Sequence, residues 1–122
     1  MANDFKRFAV NNVNTSSGAS ASSVYSVPAG AGSSALESIV IGITISNTSS
    51  SGITASVFLD NNAGSNDVHI VKDATIPAGS SLEVMSGNKI VLQNTGSAAD
   101  VLRVSASASN SCDALVSVLE DV

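Results

Sequence analysis

Glu37-Ser-Ile-Val-Ile-Gly-Ile-Thr-Ile-Ser-Asn47, a Thr-Ser-Ser-Ser-Gly link and Ile53-Thr-Ala-Ser-Val-Phe-Leu-Asp60 form the stretch that decides the fold. In its first run Ile39, Ile41, Ile43 and Ile45 recur at every second position, between Ser38, Val40, Gly42, Thr44 and Ser46. A period of two over that length predicts a strand with one buried face and one face left to water or a partner. Thr48 to Gly52 can make a short connection, after which Ala55, Val57 and Leu59 alternate with Thr54, Ser56 and Asp60. Phe58 breaks that alternation. The pair reads as a β-hairpin or as its sheet-crossing equivalent. No residue in it points to a reaction.

Eleven residues from Glu37 to Asn47 would extend roughly 36 Å, longer than most strands. Gly42 is the natural place for a bend or bulge that lets one run serve two sheets. Working outward, Val24-Tyr-Ser-Val27 is a short strand stopped by Pro28-Ala-Gly30, since proline cannot donate into a ladder. Phe5 to Val10 is a first strand or an arm, and Asn11 to Ser23 reads as a flexible loop.

Val68 to Ala74 is another strand, followed by Ile76-Pro-Ala-Gly79. Ser81 to Ser86 places Leu82 and Val84 on one face. Gly87-Asn88 is a two-residue turn signal, after which Lys89 to Gln93 returns with Ile90 and Leu92 inward. Leu102, Val104 and Ala106 mark one face of the next strand, and Ala114 to Leu119 is the last. Eight to nine strands at roughly regular spacing, with no segment of 3.6-residue period, predict an all-β protein. Its expected form is an antiparallel β-sandwich, jelly-roll or immunoglobulin-like. Residues 1–23 form the arm or first strand plus loop, and residues 24–122 the sandwich domain.

With 122 residues the chain is one domain, large enough to close a core without staples. The core is built from Ile, Val, Leu and Ala, because three Phe, one Tyr and no Trp are available. Apolar residues make up 43% of the chain, which argues against disorder despite the abundance of Ser. Net charge is -5, and Lys6, Arg7, Lys72, Lys89 and Arg103 are scattered. Nucleic-acid binding needs clustered cations and is not expected. The start lacks an apolar run of signal-peptide length, and no later stretch could span a bilayer, so synthesis in the cytoplasm is expected.

Candidate chemistry is thin. Cys112 has no internal disulfide partner and reads as a half-buried small residue. His69 is the only histidine, so one chain cannot build a His-based metal cluster or triad; it is expected to face solvent or a partner. Asp60-Asn61-Asn62-Ala63-Gly64-Ser65-Asn66-Asp67 resembles a calcium loop only at Asp60 and Asn62. It fails at Gly64, Ser65 and Val71, where an EF-hand needs an oxygen donor, a glycine and a glutamate. No Gly-x-Ser-x-Gly elbow occurs, and paired-carboxylate sugar chemistry would want aromatic platforms. The chain is therefore expected not to be an enzyme and to need no cofactor or metal. Phe5-Lys6-Arg7-Phe8, the one cluster mixing aromatic and basic residues, is either an edge strand with two core Phe residues or an arm gripping an acidic neighbour. Phe5, Lys6, Arg7 and Phe8 are thus the candidate partner-binding residues.

Val24-Tyr-Ser-Val-Pro-Ala-Gly30, the Ile-rich run, Val57-Phe-Leu-Asp60, Ile70-Val-Lys-Asp-Ala74, Ile76-Pro-Ala-Gly-Ser-Ser-Leu82 and Leu115-Val-Ser-Val-Leu-Glu120 together resemble small virion structural proteins of tailed bacteriophages. The resemblance covers nearly the whole chain but consists of strand and turn patterns, so it carries over no site residues. It implies a β-sandwich that decorates the capsid shell, or sits in the neck, tail or fibre. The expected role is a capsid decoration (cement) protein of the virion. It would bind the major capsid protein or other virion subunits as a homo-oligomer, with a trimer the expected form. A carbohydrate- or surface-binding module is the alternative from another class, disfavoured by Tyr25 standing alone as a platform.

Overall fold

The computed structural model describes residues 3–16, 18–61, 66–85 and 89–121. Among them lie nine strands: β1 (Asn3–Val10), β2 (Ser22–Ser26), β3 (Leu36–Asn47), β4 (Ile53–Asn61), β5 (Asn66–Ile76), β6 (Ser81–Glu83), β7 (Ile90–Asn94), β8 (Val101–Ala106) and β9 (Cys112–Asp121). One sheet runs β1-β9-β3, with β6 and β7 sharing the remaining edge of β3; the other runs β2-β8-β4-β5. Every pairing is antiparallel. The protein is an all-β sandwich.

The chain changes sheet at every connection except β4–β5 and β6–β7. If β6 and β7 are taken as one interrupted strand, this is the jelly-roll order, two interlocked Greek keys wrapped as eight strands. An immunoglobulin-like sandwich would set the first two strands side by side in one sheet, whereas β1 and β2 lie in opposite sheets. The Thr48–Gly52 link is accordingly a crossing between sheets. Asn47 organises it: its buried amide donates to Ser51 O (2.8 Å) and Ile76 O (2.9 Å), and its Oδ1 accepts from the Ser49 N–H at 2.9 Å.

The Ile alternation of β3 does not form one buried face. Ile43 and Ile45 are buried, but Ile39 is only half-buried and Ile41 is exposed; Leu36, Ser38 and Val40 point inward in the first half. The reason is a bulge. Val40 pairs with Val118 and Gly42 with Ser117, so Ile41 is an extra residue on β3 and the inward phase switches from even to odd there. β3 stays in one sheet throughout. The bulge instead separates its two partners on the free edge, β7 along residues 36–40 and β6 along residues 44–46. Lys89 to Gln93 therefore does not return against β6, because a twelve-residue β3 offers edge enough for both short strands. The Gly87-Asn88 turn signal lies outside the described residues.

Inner faces meet through Val40, Ile43, Ile45, Val116 and Val118 of the first sheet and Ala55, Val57, Leu102 and Val104 of the second. Val13, inside the stretch expected to be a loose loop, is fully buried and donates its N–H to Cys112 O (2.9 Å). The two Pro-Ala-Gly triplets do different work. Gly79 has a left-handed φ of 69° and closes a tight turn, Ser80 N–H to Pro77 O; Gly30 sits where an added Cβ would meet Ser34 Oγ at 2.5 Å.

Candidate interaction surface

Antiparallel register brings four apolar residues from distant parts of the chain into one line. Phe5 pairs with Leu119, Leu119 with Ile39, and Ile39 with Val91. On β9 the inward residues are Ala114, Val116, Val118 and Glu120, so Leu119 and its row lie on the outer face of the first sheet. Phe5 is 79% exposed and Val91 56%, with Leu119 and Ile39 half-buried between them. The bulged Ile41 and Leu115 add further apolar surface on the same face. Single exposed hydrophobes need no explanation, but a row crossing a whole sheet is a candidate interaction surface.

Charge is arranged around that row. Two residues along the strands on one side stands Glu37 of β3. Two residues on the other side stand Arg7 of β1 and, just before β7, Lys89; all three are exposed. Farther out on that second side Glu83 pairs with Thr44.

β1 places the four candidate partner-binding residues on two faces, because successive side chains of a strand alternate. Phe5 and Arg7 face outward. Phe8 turns in against the Tyr25 ring, with centroids 4.7 Å apart. Lys6 reaches Glu120 Oε1 at 2.9 Å. The reading of two core Phe residues is thus corrected: only Phe8 packs on the core. Glu120, 1% exposed, also accepts the Tyr25 hydroxyl at 2.6 Å on Oε2, and that hydroxyl lies 2.6 Å from Ser38 Oγ. The hydrogen bond to Glu120 and its charge hold the Lys6 ammonium above the usual lysine range. Burial first, then Glu120, pushes the Tyr25 phenol up. The network pins edge strand β1 to both sheets.

His69 is exposed and stacks on Phe58 at 5.1 Å, on the outer face of the second sheet. Cys112 is fully buried, more so than expected, and burial pushes its thiol up to about 11. The Asp60–Asp67 loop motif falls largely outside the described residues; β4 and β5 close on it with Asn61 opposite Asn66. Among the described residues no three His, Cys, Asp or Glu gather as a metal site.

No family model, no curated protein and no solved structure matches the chain. Sequence reasoning missed Leu119, Val91 and Leu115 as surface residues. The signal was present in Leu115-Val116-Ser117-Val118-Leu119, where both phases of the strand are apolar, and in Val91 standing between inward Ile90 and Leu92. What could not be seen was the register that aligns residues 5, 39, 91 and 119.

Proposed function

We propose that this chain is a structural protein of a phage particle, a decoration (cement) protein that works as an oligomer and bridges neighbouring capsid subunits. The observation that carries the reading is the outward-facing Phe5–Leu119–Ile39–Val91 row, exposed at its two ends, a surface suited to assembly in a sandwich whose inner faces are filled by its own side chains. The jelly-roll order supports it, being an architecture used by viral capsid domains, although fold alone never fixes function. The resemblance of the strand and turn patterns to small virion proteins points the same way.

Such a protein needs no chemistry. A molecule that binds the assembled shell and not its separated subunits stabilises the shell by mass action, the more so as its concentration exceeds its dissociation constant. Bridging two shell subunits with two linked copies adds the gain of effective concentration. Shells prepared without the protein, then incubated with it, are expected to carry it through sedimentation and to break at a higher temperature. Identical breakage profiles with and without the protein would remove the cement role. Imaging of a labelled protein in intact particles separates this placement from the neck, tail or fibre.

A further inference from the structure

The outer face of the first sheet carries a charge pattern that selects one partner. We infer that a second copy of this chain docks on it, about a two-fold axis running along the Phe5–Leu119–Ile39–Val91 row. This rests on the reading of that face as an assembly surface and names its occupant.

The derivation is geometric. Two identical faces can meet about a two-fold axis lying in the contact plane, and each residue then finds the image of another on the same patch. If the axis ran parallel to the strands, Glu37 would stay on its own side of the row, facing the partner's acidic side. With the axis along the row, strand direction reverses and the sides exchange. Glu37 on β3 then lies over the basic side, beside the partner's Lys89 position on the neighbouring strand, with Arg7 farther along the same side. The row itself meets its own image, Phe5 on Phe5 and Val91 on Val91. Glu83, two rows beyond Ile39 on the basic side, falls past the start of the partner's β3 and opposes no charge there. Only the second arrangement pairs unlike charges.

Sheet geometry agrees. Both orientations keep strand directions aligned, as stacked sheets prefer. Four strands ~4.8 Å apart and about eight residues long give a footprint of roughly 500 Å² a side, or roughly 1,000 Å² in total. That is the lower limit of a specific interface, so the pairing is a reversible dimer. It departs from the trimer expected for a cement protein.

The test uses the whole chain in sedimentation velocity. The unmodified protein should dimerise reversibly. Glu37→Lys alone, and Arg7→Glu with Lys89→Glu, should each weaken self-association by about tenfold or more, since each sets like charges against one another. An equimolar mixture of the two variants should associate as well as the unmodified protein, because every pair is again unlike. Val91→Cys should form a disulfide to its own copy under mild oxidation, while Leu115→Cys, off the axis, should not; Cys112 is buried and does not compete. A monomer at millimolar concentration, a mixture no better than its components, or linking through Leu115→Cys and not Val91→Cys would each overturn the proposal. Those outcomes leave shell binding and shell breakage to be judged separately, so the loss of either reading is recognisable on its own.

Discussion

Lys6 Nζ lies 2.9 Å from Glu120 Oε1, setting a half-exposed cation of an edge strand against a carboxylate that is 1% exposed. A buried charge that loses its partner is costly to the fold. Lys6→Met should therefore lower the thermal midpoint, while Arg7→Met on the opposite face should leave it unchanged. Adding Glu120→Gln to Lys6→Met should recover part of the loss. Equal midpoints for the two single variants would show that Glu120 does not depend on Lys6.

The bulge at Ile41 separates two isoleucines that look equivalent in the sequence. Ile43→Ala should cost about 2–5 kcal/mol, the range for emptying a packed core position. Ile41→Ala should cost less than about 1 kcal/mol, because that side chain is exposed. Gly42→Ala should be neutral or slightly stabilising: its φ is not left-handed and an added Cβ meets nothing within 4 Å. Urea unfolding of the three variants checks the phase of β3 directly.

Phe5 and Phe8 divide in the same way. Phe8→Ala should cost about 2 kcal/mol, roughly half of a full Phe deletion, because the ring is half-buried on Tyr25. Phe5→Ala should leave stability within about 0.5 kcal/mol and weaken self-association instead. Chemical denaturation and sedimentation together distinguish the two roles.

Alkaline pH should destabilise the protein in a defined window. The Cys112 thiol, ordinarily at 9.0, is pushed up to about 11 in the folded chain by burial, and the Tyr25 phenol is raised as well. In the unfolded chain these groups release protons first, so stability is full below about pH 9 and falls as pH rises toward 11. Lys6 acts in the same direction: its raised pKa lends stability below its ordinary 10.5 that disappears as the ammonium deprotonates. Urea midpoints measured from pH 7 to 11 should decline above pH 9. Cys112→Ala should remove the earliest part of that decline and leave the part due to Tyr25 and Lys6.

The all-β class and the strand count were legible because period-two alternation is a local property, present in Leu102, Val104 and Ala106 as plainly as in Ile43 and Ile45. Which residues of β3 face inward was not, since one extra residue reverses the phase and Ile41 carries the same side chain as its neighbours. The choice between jelly-roll and immunoglobulin-like order depends on β1 and β2 lying in opposite sheets, a long-range relation that no local pattern encodes. The candidate surface was half visible. Phe5 and Arg7 were named, but Leu119, Ile39 and Val91 join them only through three separate pairings. Lys6 and Phe8 were named too, and alternation along β1 turns both toward Glu120 and Tyr25.

β9 lies between β1 and β3, yet among the described residues it follows every other strand. Until residues 112–121 arrive, the first sheet has a gap at its centre: β1 has no ladder partner, and one side of β3 is an open template for any extended chain nearby. Closing it joins segments about a hundred residues apart, the kind of contact that makes folding slow. Until that strand is made, this domain is therefore an unfinished sheet. The incoming strand must then reach its slot before a β9 from a neighbouring chain does, and exchange of that strand between copies is the misassembly this wiring invites.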